Sequence, residues 1–157
     1  QHRLNEQMRP DAFNRTNDTY SITNLYYDTD DSILIRTSLQ KPDYKEKLRL
    51  RAYGVPGPED TVFLEIKKKL DGRVYKRRSS IRLSDATVFV ATGRLPEPDP
   101  RHNRQVLKEI AYLLSVCPLK PMLYLAYERR ALIGIDRPDL RISFDTHIRN
   151  PRPTTAR

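Results

Sequence analysis

The chain has 157 residues, enough for one domain with a hydrophobic core, and its 29 Lys and Arg against 20 Asp and Glu give a formal net charge of +9 at pH 7. This balance favours polyanionic partners: nucleotides, polyphosphate, nucleic acid or an anionic membrane surface. The single cysteine, Cys117, excludes an internal disulfide and favours a reducing compartment such as the cytoplasm. No apolar run approaches the ~20 residues of a membrane-spanning helix.

The N-terminal segment is polar and shows no clear period, although Leu4 and Met8 fit the end of an amphipathic helix that stops at Arg9-Pro10. We expect a loop after it. The first strand is predicted at Tyr20–Asp28, a segment rich in β-branched and aromatic residues.

A short helix is predicted at Ser32–Leu39, and the aspartates before it have two interpretations. Asp28 and Asp31 could ligate a metal. Capping of the helix by Asp30 or Asp31 is favoured, because a carboxylate readily accepts hydrogen bonds from the free N–H groups of a first helical turn.

The central part of the chain predicts three consecutive strands, at Lys47–Tyr53, Thr61–Lys69 and Arg73–Leu83. A loop rich in glycine and proline joins the first two strands, and Asp71-Gly72 is typical of a two-residue hairpin turn.

Each of these strands has one largely apolar face and one cationic face, since successive side chains of a strand point to opposite sides. The cationic faces contain Lys47, Arg49, Arg51 and Tyr53; Phe63, Glu65, Lys67 and Lys69; and Lys76, Arg78, Ser80 and Arg82. Like charges opposite each other on paired strands repel, so such a face requires an anion. A solvated outer face is the alternative. Two later strands repeat the pattern, which favours a sheet curled around a polar lumen.

The C-terminal half predicts two helices, two strands and the loops between them. They are a short helix at Ser84–Ala91 with Ser84 or Asp85 as N-cap, a loop at Arg94–Asn103, an amphipathic helix at Arg104–Val116 stopped by Pro118 and Pro121, and strands at Met122–Ala131 and Asp139–Ile148. The amphipathic helix is expected to pack outside the sheet, and Cys117 is expected in the core rather than as a nucleophile. In the last strand Arg141, Ser143, Asp145 and His147 share a face, and His147 is read as a surface residue.

The candidate phosphate-binding set consists of cations that these faces share: Arg49, Arg51, Lys67, Lys69, Lys76, Arg78, Arg129 and Arg141. Arginine binds phosphate through two parallel hydrogen bonds and lysine as a point charge, so a lumen lined with both suits a run of phosphates. Tyr127, on the Arg129 face, could donate a hydrogen bond to phosphate. Nucleic acid is not expected, because only Tyr53 and Tyr127 share a face with arginine and base stacking needs aromatic rings beside the cations.

Glu65 also has two interpretations: it pairs with a neighbouring cation, or it helps to hold a divalent metal on phosphate oxygens. Asp145 is open in the same way, since it could pair with Arg141 or Arg129. The sequence contains no Gly-rich phosphate loop, no zinc-ligand spacing and no recognisable Ser-His-Asp set.

Five segments resemble, in this order, the vacuolar transporter chaperone (VTC) domain: SITNLYYDT, YKEKLRLRAYG, VFLEIKKKLDGRVYKRR, YLAYERRA and DLRISFDTHI. This family is the polyphosphate polymerase branch of the triphosphate tunnel metalloenzymes, and the sequence looks like its bacterial form. The resemblance runs from about Asp11 to Arg149.

The resemblance implies an α+β fold, an antiparallel β-barrel that forms a tunnel with helices packed outside. It implies transfer of the terminal phosphoryl group of ATP to inorganic polyphosphate, assisted by Mn²⁺ or Mg²⁺. Motif positions carry over, as catalytic residues, Arg49, Arg51, Lys67, Arg129 and Arg141. Further phosphate binders are Arg36, Lys69, Lys76 and Tyr127, with Arg78 added by its place on the cationic face.

The sequence departs from the family pattern at both ends. The family's first strand has no counterpart before Gln1, and its metal-binding glutamate lies on strands beyond Arg149, which leaves Glu65 as the candidate ligand here. We expect residues 1–157 to form a single tunnel domain that is a fragment, lacking the first and the C-terminal strands, and to be inactive in isolation.

Two alternatives to the polymerase stay open. A tunnel hydrolase of the same fold would use water as the acceptor in place of polyphosphate. A binding module without catalysis would hold polyphosphate or RNA and leave ATP intact. Both enzymes are expected to need the metal, and the binding module is not.

Overall fold

The computed structural model describes residues 6–12, 14 and 19–150, which form seven strands and three helices. The strands are β1 (Met8–Pro10), β2 (Tyr20–Asp28), β3 (Tyr44–Tyr53), β4 (Thr61–Leu70), β5 (Arg73–Arg82), β6 (Lys120–Gly134) and β7 (Arg141–Arg149). The helices are α1 (Ile33–Leu39), α2 (Leu83–Thr92) and α3 (Arg104–Val116). The expectation for Leu4 and most of the loop expected before Tyr20 lie outside the described residues.

All seven strands belong to one antiparallel sheet that curls into a half-barrel. The long strand β6 pairs with β1 and β2, one after the other, along one edge and with β7 along the other. From β2 the sheet continues through β3 and β4 to β5. Over the described residues the barrel stays open, because β5 and β7 each pair on one side only.

The hydrophobic core lies between the apolar face of β3, β4 and β5 and the two helices α2 and α3. Leu48, Leu64 and Ile66 supply it from the strands, and Phe89 and Ile110 supply it from the helices. Each such fully buried side chain stabilises the fold by about 1.5–3 kcal/mol. The expected α+β fold, with an antiparallel curled sheet and helices outside it, is confirmed for α2 and α3.

Several elements lie where the sequence predicts them. β2 and α3 occupy the predicted residues, Tyr20–Asp28 and Arg104–Val116. Asp71 and Gly72 have φ values of +47° and +80°, the left-handed pair that joins β4 to β5 in a two-residue hairpin. Cys117 packs against the edge of the core, as expected.

The helix predicted to end near Met8 is wrong. Met8–Pro10 is instead strand β1, and Met8 lies buried opposite Gly134 at the end of β6. The local pattern is weak there, and pairing with a strand far along the chain outweighs it.

The N-terminus of α1 is capped by other residues than predicted. The two carboxylate oxygens of Asp28 accept hydrogen bonds from backbone N–H groups of the first turn at 2.9 and 3.0 Å, and the Thr29 hydroxyl accepts a third. Asp31 accepts from that hydroxyl, and Asp30 pairs with Lys120. The last residue of β2 therefore caps the helix, and Asp28 is committed to the backbone rather than to a metal.

The predicted caps of α2 are also wrong. The helix begins at Leu83, its N-cap residue Arg82 makes no side-chain cap, and neither Ser84 nor Asp85 occupies that position. The Ser84 hydroxyl bonds instead to Glu59, in the loop before β4.

Two irregularities in β6 and β7 change smaller predictions. Pro121 lies inside β6, opposite Tyr27, where the register with β2 shifts. His147 has φ +50° and lies at a register shift between β6 and β7. Its Nδ1 is 3.3 Å from Glu128, the residue before Arg129, so the His147 side chain is not on the face of Arg129. His147 is exposed, as expected.

Candidate functional site

The face of the sheet opposite the core lines a cavity of about 820 Å³, which we call the groove. Its charged lining consists of Lys47, Arg49, Arg51, Glu65, Lys67, Lys76 and Arg129 on the strands and Asp28 beside α1. Its apolar lining includes Leu34 and Ile35 of α1 and Met122, Leu123 and Leu125 of β6. The helix α1 therefore borders the groove instead of packing outside the sheet with α2 and α3.

The strand register sorts the groove cations into rows, because residues directly opposite on antiparallel strands project from the same face. One row runs from β2 to β5 through Tyr26, Arg49, Glu65 and Arg78. Arg49 donates to Glu65 Oε2 from Nε at 2.6 Å and lies with Nη2 at 2.5 Å from the same oxygen. Its Nη1 donates to the Tyr26 hydroxyl at 3.2 Å. Arg49 is thus oriented from two sides, while other N–H groups of its guanidinium stay available.

Glu65 is the buried counter-charge at the centre of this row, with 1% of its surface exposed. Lys76 Nζ lies 3.4 Å from Glu65 Oε1, although this oxygen accepts no hydrogen bond from the described residues. Burial raises the pKa of the Glu65 carboxyl, but Arg49, and more weakly Arg51 and Lys76, lower it to below its ordinary value. Glu65 is therefore ionised at neutral pH, and its charge offsets several cations at once.

Arg51 lies in the next row and is held by neutral groups. Its Nε donates to Asn24 Oδ1 at 2.9 Å, and both side chains are buried. The Tyr127 hydroxyl lies 3.5 Å from a terminal nitrogen of Arg51 and 3.5 Å from one of Arg129. Tyr127 therefore lies between two groove arginines, and this place favours an orienting role over the direct phosphate contact expected for it.

Arg129 is engaged by a carboxylate of the protein. Its Nε and Nη2 donate to the two oxygens of Asp145 at 2.7 and 2.8 Å, in the two-pronged geometry with which arginine also binds phosphate. These hydrogen bonds raise the pKa of the Arg129 guanidinium and lower the pKa of the Asp145 carboxyl. Of the partners that the sequence left open for Asp145, the structure selects Arg129.

A further row contains three lysines. Lys47, Lys67 and Lys76 lie directly opposite one another on β3, β4 and β5, and all three line the groove. In the part of the chain that the structure describes, the side chains of Lys47 and Lys67 have no ion-pair or hydrogen-bond partner. Lys47 was not among the site residues predicted from the sequence motifs. The signal that identifies it is its register opposite Lys67.

Two of the predicted phosphate binders share the groove face but do not line the cavity. Lys69 lies one row beyond the lysines, opposite Lys45 and Val74. The Arg78 guanidinium lies over the Phe63 ring, 4.7 Å from its centroid. Both are therefore neighbours of the groove.

The remaining two candidates lie farther from the groove. Arg141 Nη2 donates to the buried Asp11 carboxylate at 2.6 Å and to the Tyr20 hydroxyl at 3.2 Å, so its guanidinium ties β7 to the segment after β1. Arg36 is exposed on α1 and donates to the Asp31 carbonyl at 3.4 Å. Neither is among the residues that line the cavity.

A divalent ion such as Mn²⁺ or Mg²⁺ does not fit the described residues by themselves. Hard cations need several oxygen ligands, and the described ranges contain no group of three or more His, Cys, Asp or Glu that could hold a metal. The two carboxylates of the groove are already engaged, Glu65 by Arg49 and Asp28 by the backbone of α1. No reaction step through a metal is therefore derived from these residues.

Comparison with known proteins decides the family. The sequence description of the VTC domain matches residues 1–155. The chain belongs to the VTC domain family. This VTC domain is similar to the vacuolar transporter chaperone complex subunit 4 of Trypanosoma brucei brucei, with 27% identity over 154 residues, and to that of Trypanosoma cruzi, with 26% identity over 154 residues. Each match covers 82% of this chain and 19% of the relative, so the chain spans about a fifth of the length of these curated relatives.

Solved structures that resemble the VTC domain include the following two. One is a candidate adenylate cyclase from Bacillus halodurans, with a TM-score of 0.49 and 16% identity. The other is a candidate adenylyl cyclase from Hippeastrum with a dominant triphosphatase activity, at a TM-score of 0.44 and 15% identity. Each covers 85% of this chain and 63% of the other chain. Both similarities are distant and carry no argument about the reaction. Within the described ranges, no helix combines the length and the apolar character that crossing a membrane requires.

Proposed function

We propose that the groove binds the phosphates of ATP and of inorganic polyphosphate, and that the protein containing this VTC domain transfers the terminal phosphoryl group of ATP to the growing chain. The observation that carries the proposal is the charge of the groove lining. Six cations line it, namely Lys47, Arg49, Arg51, Lys67, Lys76 and Arg129. The two carboxylates beside them, Glu65 and Asp28, are already engaged. Such an excess of positive charge favours a polyanion over a neutral or cationic substrate.

Polyphosphate is favoured over other polyanions by the family and by the shape of the site. The cations stand in successive rows along the strands, as a linear run of phosphates requires. A nucleic acid would need exposed aromatic rings beside the cations for its bases. In the groove wall the Tyr26 hydroxyl accepts from Arg49, and beside the groove, on the same face of the sheet, the Phe63 ring lies under Arg78.

The mechanism that we infer is positioning combined with electrostatic stabilisation. The terminal oxygen of the polyphosphate chain attacks the γ-phosphorus of ATP in line. The new P–O bond forms as the bond from that phosphorus to the β–γ bridging oxygen breaks, and ADP leaves with the electron pair. The attacking oxygen is already ionised at neutral pH, so no general base is needed. Glu65 and Asn24 orient Arg49 and Arg51 before the substrate binds, so these side chains lose less conformational entropy on binding.

When phosphate binds, its oxygens replace the carboxylate of the protein as hydrogen-bond acceptors for Arg129. Arg129 presents both prongs of its guanidinium to Asp145 in the free protein. A phosphate that uses the same two prongs displaces this carboxylate. Asp145 therefore competes with phosphate for Arg129.

Phosphorus NMR of the products formed from ATP by the intact protein with Mn²⁺ tests the proposal. The expected result is a growing internal-phosphate signal together with ADP, lost in Arg49→Ala and kept in Arg77→Ala, a control on the opposite face of β5. ADP and free phosphate without an internal-phosphate signal would replace the polymerase with the hydrolase. Unchanged ATP with retained polyphosphate binding would leave a binding module.

A further inference from the structure

One end of the groove is lined by apolar side chains, which we call the apolar rim. The rim consists of Leu34 and Ile35 of α1, Val74 of β5, and Met122 and Leu123 of β6. These residues meet at the end of the sheet where β2 passes into α1. There β6 begins opposite the last residue of β2, and β5 begins opposite the end of β4, next to the start of β3.

The hydrophobic core does not account for the rim. The core lies on the other face of the sheet, under α2 and α3, and every rim side chain except Leu34 is exposed. Single exposed apolar residues are ordinary, but these converge on one cavity from three elements. A phosphate chain gains nothing from them, because its oxygens need cations and hydrogen-bond donors. The rim therefore suits an apolar part of a ligand.

The two rim residues of α1 are held in place by Asp28. The oxygens of this buried carboxylate accept hydrogen bonds from the backbone N–H groups of Leu34 and Ile35, at 2.9 and 3.0 Å. Because Asp28 is the last residue of β2, these bonds tie the first turn of α1 to the groove wall. The rim is thus formed before a ligand binds, which lowers the entropic cost of binding.

The rim lies near the groove arginines. Leu123 lies directly opposite Tyr26, and Tyr26 lies directly opposite Arg49, so the three share one row across β6, β2 and β3. Neighbouring strands are about 4.8 Å apart, which separates the backbones of Leu123 and Arg49 by about 10 Å along the curved sheet. A nucleoside triphosphate covers such a distance between its base and its phosphates. Polyphosphate has no apolar group to place on the rim.

We propose that the apolar rim binds the nucleobase of ATP, the donor in the proposed reaction. The inference rests on the proposed function in that the triphosphate lies on the groove cations. Adenine has two apolar faces, which aliphatic side chains of α1 and β6 can cover. The rim then distinguishes the donor from the acceptor, which has no base. With the base at this end, the triphosphate points towards Arg51 and Arg129, which lie farther from α1 along the strands. The acceptor therefore approaches from the opposite end of the groove.

Calorimetric titration of the intact protein with a non-hydrolysable ATP analogue and with tripolyphosphate, at low salt, tests this site. Both ligands carry three phosphates, and only the analogue carries a base. Ile35→Ser should bind the analogue about fivefold more weakly, as expected for the loss of about 40 Å² of apolar contact, with unchanged binding of tripolyphosphate. Leu123→Ala, on the β6 side of the rim, should show the same selective loss.

The matched control is Ile33→Ser, on the same helix. Ile33 is 46% exposed and Ile35 is 45% exposed, but Ile33 is not among the residues that line the groove. Ile33→Ser should therefore bind both ligands at the wild-type level.

Each other outcome decides against the base site. Unchanged binding of the analogue in Ile35→Ser and Leu123→Ala, with weaker binding of both ligands in Arg49→Ala, would overturn the base site and leave the groove proposal standing. Unchanged binding of both ligands in Arg49→Ala would overturn the groove proposal itself. Equal losses for the analogue and for tripolyphosphate in Ile35→Ser, or an equal loss for the analogue in Ile33→Ser, would assign Ile35 to the packing of α1 rather than to the base.

Discussion

Replacing Glu65 with glutamine removes the buried counter-charge of the groove while keeping the size of the side chain. Glu65 is 1% exposed, whereas the side chains of its partners Arg49 and Lys76 are 22% and 47% exposed. Removing one partner of a fully buried ion pair costs about 3–5 kcal/mol. Because water reaches both cations here, we expect Glu65→Gln to lower the free energy of unfolding by about 2–3 kcal/mol. Phosphate should then replace the lost charge, so the affinity for tripolyphosphate should rise.

Urea unfolding at pH 7 and low salt, with and without tripolyphosphate, measures both effects. The control is Glu59→Gln, whose carboxylate is 74% exposed and 3.3 Å from Arg82, and which should cost no more than about 1 kcal/mol. In Glu65→Gln, tripolyphosphate should recover more stability than it adds to the wild type. A cost as small as that of the control, together with weaker tripolyphosphate binding, would refute the counter-charge role and favour Glu65 as a direct contact to the ligand or its metal.

Three more outcomes follow from the same contacts. The pKa of Glu65 is lowered in the folded chain from its ordinary 4.5, so its contribution to stability is present above pH 4.5 and lost as the pH falls through the folded value; Glu65→Gln should flatten urea-derived stability over this acid range. Asp145→Asn should bind tripolyphosphate severalfold more tightly by calorimetry, because it weakens the internal competitor for Arg129, and weaker binding would contradict that competition. Leu107→Ala, in the buried face of α3, should lower the free energy of unfolding by about 2–5 kcal/mol with unchanged tripolyphosphate affinity; a changed affinity would mean that core and groove are coupled.

Alternation along β3 and β4 was enough to predict which side chains of these strands lie on the groove side of the sheet. A strand backbone directs successive side chains to opposite faces, so Arg49 and Arg51 are separated from Leu48 and Leu50 whatever the strand pairs with. The turn preference of Asp-Gly predicted the hairpin at Asp71-Gly72, whose conformation depends on only two residues. The apolar period of α3 likewise predicted its limits and its buried face.

What the sequence did not predict are contacts between residues that are distant in the chain. The partner of Arg129 depends on the β6–β7 register, which a bulge shifts, so Asp145 could not be separated from other pairings by spacing alone. Capping of α1 by Asp28 depends on the left-handed turn at Ser32, which no local motif signals. The lysine row depends on the register between β3 and β4. Alternation predicts which residues share a face of each strand, but it does not predict which residues of two paired strands lie opposite each other.

Polyphosphate binding by two variants of adjacent lysines tests the central claim most directly. Lys67 lines the groove, whereas Lys68 lies on the opposite face of β4 with Glu46 and Glu109, so the variants Lys67→Gln and Lys68→Gln remove the same charge on opposite sides of one strand. Calorimetric titration with tripolyphosphate at low salt should show about tenfold weaker binding for Lys67→Gln and near wild-type binding for Lys68→Gln. Equal losses in both variants would mean that net charge, not the groove, binds the polyanion, and would contradict the account.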